Sequence, residues 1–133
     1  MPRITAFYAA LAMLLVVTLA VRVMLRRRQA RIGLGNGGDA ELGRRVRAHA
    51  NALENLVPGL LLLLLLELLV IAPLWLHLAG ATLLLGRALH AVGLSRSGGV
   101  SFGRGAGMLL TWLVLLAMAL VLLWQSVMWW LIV

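Results

Sequence analysis

The sequence predicts an all-α membrane protein, a bundle of four transmembrane helices. Three observations carry that expectation. First, 63% of the 133 residues are hydrophobic and only 12% are charged, too apolar for a soluble domain and too short for several domains. Second, four apolar stretches, with their flanks, approach the ~20 residues that a span needs. Third, the basic residues crowd the ends of those stretches. The expected helices cover about residues 4–28, 40–72, 74–94 and 105–131 of one domain, 1–133.

The first stretch runs from Ile4 to Val21 and is closed by Arg22 and Arg26-Arg27-Arg28. The basic cluster follows the apolar run instead of preceding it, and no small-residue cleavage site stands out. A retained helix is expected, not a signal peptide. The second run, Leu56 to Ala72, holds seven consecutive leucines and one interruption, Glu67. Pro73 marks a turn. The third run, Leu74 to Leu85, spans only if its helix continues through Arg87 and His90 to about Leu94. The fourth, Met108 to Val133, has no charged residue.

All 12 basic residues are arginine. Eight lie between residues 22 and 47, Arg96 and Arg104 sit in the 95–107 loop, and Arg3 alone lies at the opposite surface. Both arginine-rich loops are therefore expected in the cytoplasm, with both termini periplasmic. Trp124, Trp129, Trp130 and Trp75 fit an outer aromatic belt. The net charge of +8 does not point to nucleic acid, because these arginines stand where anionic lipid headgroups lie. The chain has no cysteine, so thiol chemistry would need a thiol carried by a ligand. No histidine pair has metal spacing backed by a third ligand, and no metal is expected.

Gly33-Leu34-Gly35-Asn36-Gly37-Gly38 matches the dinucleotide pattern G-x-G-x-x-G. That pattern works only between a strand and a helix of a βαβ unit, and here membrane helices flank it. It reads as a cytoplasmic turn. Asp39 then caps the second helix and Glu41 sits in its first turn. A helix from 40 to 72 would be roughly 50 Å long, longer than the ~30 Å hydrocarbon layer, so its first turns stand in the cytoplasm and headgroups.

Arg47, Asn51 and Glu54 recur at i, i+4, i+7 on that helix and share a face. Pro58 cannot donate to the Glu54 carbonyl, which opens backbone beside them. Arg87 and His90 are i, i+3 near the cytoplasmic end of the third helix, at the same depth, and Arg104 opens the fourth. Such groups serve either a ligand or interhelix contacts. Arg47, Arg87 and Arg104 converging on one carboxylate leave an excess of positive charge that asks for an anionic ligand. His49 is about 200° round the helix from Arg47, facing another helix or subunit. Glu67 and His77 fall toward the outer side and are expected to bond each other across the turn, a structural role.

Arg47-x-x-x-Asn51-x-x-Glu54 followed by proline resembles the second-helix signature of the MAPEG superfamily, membrane-associated proteins in eicosanoid and glutathione metabolism. Gly86-Arg87-Ala88-Leu89-His90-Ala91-Val92-Gly93 is similar to its third-helix motif. Gly37-Gly38-Asp39-x-Glu41-Leu42 and Gly107-Met108-x-x-Thr111-Trp112 resemble its bacterial inner-membrane branch. The resemblance implies a homotrimer that binds glutathione between adjacent subunits near the cytoplasmic face, with no metal. By position it assigns Arg47, His49, Asn51, Glu54, Arg87 and His90 to glutathione. Arg104 is the counterpart of the thiol-activating arginine, with Arg96 as the other candidate. His90 and Leu94 stand where eicosanoid enzymes of the family carry tyrosines.

The resemblance thus implies a glutathione transferase or peroxidase in the bacterial inner membrane, acting on lipophilic electrophiles. A thiol reacts as thiolate, and cations lower its pKa from ~8.5. Arginine keeps its proton, so it stabilises charge and is no general base. The rival is a non-catalytic lipid-binding or scaffold protein of the same fold. A small multidrug-type transporter fits the size, but it usually needs a carboxylate inside the first helix, and Ile4 to Val21 has none.

Overall fold

A computed structural model describes residues 1–96, 99 and 101–132. It contains four α-helices, α1 (Arg3–Ala30), α2 (Ala40–Leu68), α3 (Pro73–Arg96) and α4 (Phe102–Ile132). Each is long and apolar enough to cross a membrane. Large apolar side chains such as Leu14, Leu61, Leu85 and Leu116 point outward, as they do where the surrounding solvent is hydrocarbon.

α1 ends at Arg31, which adopts a left-handed conformation (φ 55°). The amide of Ile32 bonds the Arg27 carbonyl and that of Arg31 the Arg28 carbonyl, the pattern that closes helices usually with glycine. The G-x-G-x-x-G stretch follows as a turn, with Gly35, Gly37 and Gly38 all at positive φ. Asp39 then caps α2 as expected: its Oδ1 accepts from the Leu42 amide at 2.9 Å. That backbone bond, together with Arg26, holds the Asp39 carboxyl below its ordinary pKa, against a smaller opposing effect of burial. Arg26 bridges Asp39 (2.9 Å) and Glu41 (3.3 Å). Arg45 pairs with Glu41 and donates to the Arg22 carbonyl at 2.8 Å. The C-terminal end of α1 and the N-terminal end of α2 are thus tied by charge.

α2 continues without interruption through Pro58 to Leu68, four residues short of the expected end. Val70 at φ 60° turns the chain, and the residue before a proline is kept from the α region. Pro73 therefore opens α3 instead of ending α2.

α3 packs most closely on α4, then α2 lies on α3 and α1 on α2. Among the described residues, α1 and α4 do not touch. Leu63, Leu83, Leu56 and Met118 fill the middle of the bundle. The α3–α4 contact rests on glycine. A Cβ at Gly107 would stand 2.5 Å from the Gly86 carbonyl oxygen and the His90 nitrogen, and one at Gly93 2.6 Å from the Arg104 nitrogen. Helices in lipid associate through such close backbone approach, because lipid tails remove the hydrophobic drive between apolar helices.

At the opposite end of the bundle the expected Glu67–His77 bond is not formed. Glu67 accepts from the backbone amides of Ile4 (2.9 Å) and Thr5 (2.7 Å). Pro2 gives α1 no side-chain cap, so the first amides of α1 need an acceptor, and a carboxylate at a helix N-terminus is the favoured one. His77 pairs with Tyr8 instead. The Tyr8 hydroxyl donates to the His77 carbonyl at 3.0 Å, and His77 Nδ1 lies 3.2 Å from it. The Tyr8 ring covers Gly80, where no Cβ would fit.

Candidate functional site

Arg87 is the largest fully buried side chain among the described residues, 1% exposed. Its guanidinium joins three helices. Nε donates to Thr111 Oγ1 at 2.8 Å, Nη2 to the Gly107 carbonyl at 3.0 Å, and Nη1 to Asn51 Oδ1 at 2.7 Å. Thr111 Oγ1 in turn donates to the Gly107 carbonyl at 2.8 Å. The absence of a Cβ on Gly86 and Gly107 lets α4 approach closely enough for this contact. All of these acceptors are neutral. The charge is hydrogen-bonded but unpaired in the interior, where an unpaired charge is costly.

Beside it a cleft of about 420 Å³ opens near the N-terminal ends of α2 and α4, lined by Arg44, Arg47, Asn51, His90 and Arg104 among others. Among the described residues, three guanidinium-bearing side chains border it and no carboxylate does. With Asn36 and Asn51 in the wall, the chemistry of this cleft is that of a donor-rich anion site. Arg104 is held at the start of α4, where its amide meets the Ser101 carbonyl at 3.1 Å, and its Nη1 donates to the Gly99 carbonyl at 2.7 Å. Arg96 lies exposed in the last turn of α3 and is not part of this lining.

The structure therefore brings Arg47, Asn51, His90 and Arg104 together in one cleft and puts Arg87 directly behind it. It does not bring the other two residues in. Glu54 is exposed beside the cleft, its Oε2 3.4 Å from Asn51 Nδ2, and among the described residues it forms no ion pair with an arginine. His49 faces a second groove of about 570 Å³, shared with Arg27, Arg28 and Arg31 on the far side of α2. Within one chain these two grooves are separate.

Arg44 belongs to the first turns of α2, which the sequence places in the cytoplasm and headgroups. It lines the cleft, and its Nε is buried without a hydrogen-bond partner. The signal was its spacing, i, i+3, i+7 with Arg47 and Asn51, which puts all three on one face. Thr111 and Gly107 were noted only as motif letters. Their role as acceptors for Arg87 needed the position of α4. Among the described residues, no three histidine or acidic side chains converge on a metal-sized site.

The comparison with known proteins agrees with this architecture. The family model described as the MAPEG family matches residues 5–124. The chain is 35% identical over 121 residues to the inner membrane protein YecN of Escherichia coli strain K12, covering 91% of each chain. It is equally similar to YecN of Escherichia coli O6:H1.

Proposed function

This chain belongs to the MAPEG family, and on that premise we propose that it is an inner-membrane protein that binds glutathione and transfers it to lipophilic electrophiles, or uses it to reduce their peroxides. The observation that carries this reading is the cationic cleft with no carboxylate in its lining. Glutathione is an anionic tripeptide, and each carboxylate can take a charge-assisted bond from Arg44 or Arg47. Arg104 then stabilises the thiolate as a fixed positive charge. In conjugation the sulfur forms a bond to an electrophilic carbon. The displaced electron pair leaves with a leaving group, or takes a proton from water.

The same reading includes a homotrimer with both termini periplasmic. Its support is the division of the polar residues between two sides of α2. The first groove holds Arg47 and Arg104, and the second holds His49 and Arg27. A neighbouring copy set against α2 would bring one groove of each chain to a shared site, with Glu54 at the seam. Mass measurement in native detergent micelles tests it, with three copies expected and a monomer at every concentration refuting it.

A second reading, a non-catalytic lipid-binding protein of the same fold, has its own support. An apolar cavity of about 560 Å³ lies toward the outer end, between α3, α4 and the end of α2, with Trp75, Leu113 and Met118 in its wall. Calorimetry of the purified protein with glutathione, followed by an assay with a generic electrophile, separates the two. Binding with turnover supports the transferase, binding without turnover supports the lipid-binding reading, and no binding rejects glutathione.

A further inference from the structure

Arg87 does not line the cleft, yet it determines what the cleft presents. A guanidinium can only donate hydrogen bonds. Its Nη1 lies 2.7 Å from the Asn51 side chain, so the oxygen end of that amide must face Arg87. The N–H2 end is thereby turned away from Arg87, toward Glu54 at 3.4 Å, on a residue that itself lines the cleft. An unlatched asparagine could rotate and offer its oxygen instead. In a wall built by Arg44, Arg47 and Arg104, an oxygen would repel an anion where an N–H group attracts it.

We infer that Arg87 is a positioning residue that latches the Asn51 amide, so that the site presents an N–H donor to its anionic ligand. The inference rests on reading the cleft as an anion site, with glutathione as the proposed occupant. It replaces direct contact between Arg87 and the ligand with action through Asn51. The buried charge has a role in this arrangement that a neutral residue able to accept as well as donate would fill ambiguously.

Asn51→Asp is the deciding variant. It keeps an oxygen for Arg87, now charged, and puts a second oxygen where the N–H2 group was. Thermal unfolding in detergent should stay at or above the wild-type temperature. Affinity for glutathione should fall about tenfold or more, the effect of one charge-assisted bond. Inorganic sulfate serves as a second probe, because it needs only donors. Arg87→Met should weaken binding about as much as Asn51→Ala does, and the double variant should lose no more than either alone, since coupled residues are not additive.

Wild-type affinity in Asn51→Asp overturns the latch. So do additive losses in the double variant, which place Arg87 on the ligand itself. If Arg87→Met does not fold, Asn51→Asp decides alone. If the wild-type protein binds sulfate and not glutathione, the glutathione reading fails and the sulfate series decides the latch. If it binds neither, both are refuted.

Discussion

The carboxylate of Glu67 lies 2.7 Å from the amide nitrogen of Thr5, 62 residues earlier in the chain. The last turn of α2 thus caps the first turn of α1. The prediction concerns stability. Glu67→Ala leaves two amides of α1 without this acceptor and should cost about 1–2 kcal/mol, the range of a lost helix cap. Glu67→Gln retains one acceptor oxygen and should cost less. Unfolding temperatures in one detergent check the order, and a Glu67→Ala protein as stable as wild type would refute the cap.

Two glycines of α4 should respond in opposite directions to the same substitution. A Cβ at Gly107 meets backbone atoms at 2.5 Å, whereas one at Gly105 meets nothing within 4 Å. Gly107→Ala should destabilise the protein by about 1–3 kcal/mol through overpacking. Gly105→Ala should be neutral or stabilise by up to about 1 kcal/mol, as helix propensity dictates. The two unfolding curves, compared side by side, test whether α3 and α4 meet through their backbones.

Acid should release the α1–α2 tie. The Asp39 carboxyl is held below its ordinary value by the Leu42 amide and Arg26. A depressed carboxylate contributes stability that is fully present above its unfolded pKa, near 3.8, and is lost as pH falls through the folded value. Wild type should therefore lose stability more steeply than Asp39→Asn as pH drops from about 5 to 3. Asparagine keeps the cap and cannot titrate. Parallel pH profiles for the two proteins would show that Asp39 is not the group responsible.

Binding and chemistry should separate among the arginines. Arg47→Ala and Arg44→Ala should each weaken glutathione binding about ten- to hundredfold, the loss of one charge-assisted contact of roughly 1.5–3 kcal/mol. Glu54→Ala should also weaken it. Arg104→Ala should leave binding nearly intact and raise the thiol pKa of the bound ligand. Ultraviolet absorbance of the thiolate, titrated against pH, reports the last effect. An unchanged titration curve and conjugation rate would remove Arg104 from its role.

The sequence alone determined the four helices, because apolar length and arginine placement are properties of the chain that no packing partner need supply. It also determined the Asp39 cap and the shared face of Arg47 and Asn51, which follow from helical geometry. Partnership between distant residues was decided only by the tertiary structure. Glu67 and His77 were near each other in sequence and on the same side, so a bond between them was the natural expectation. The unsatisfied amides of α1 claimed the carboxylate instead, and Tyr8 took the histidine. Arg87 and His90 were visible as a polar pair, but the acceptors of Arg87 are a threonine and a backbone carbonyl of α4, exposed to it only because Gly86 and Gly107 let the two backbones meet. The placement of His49 on the opposite side of α2 was legible as an angle, whereas the groove it shares with Arg27 and Arg31 was not. Helical periodicity gives direction around one axis, and only packing sets what stands in that direction.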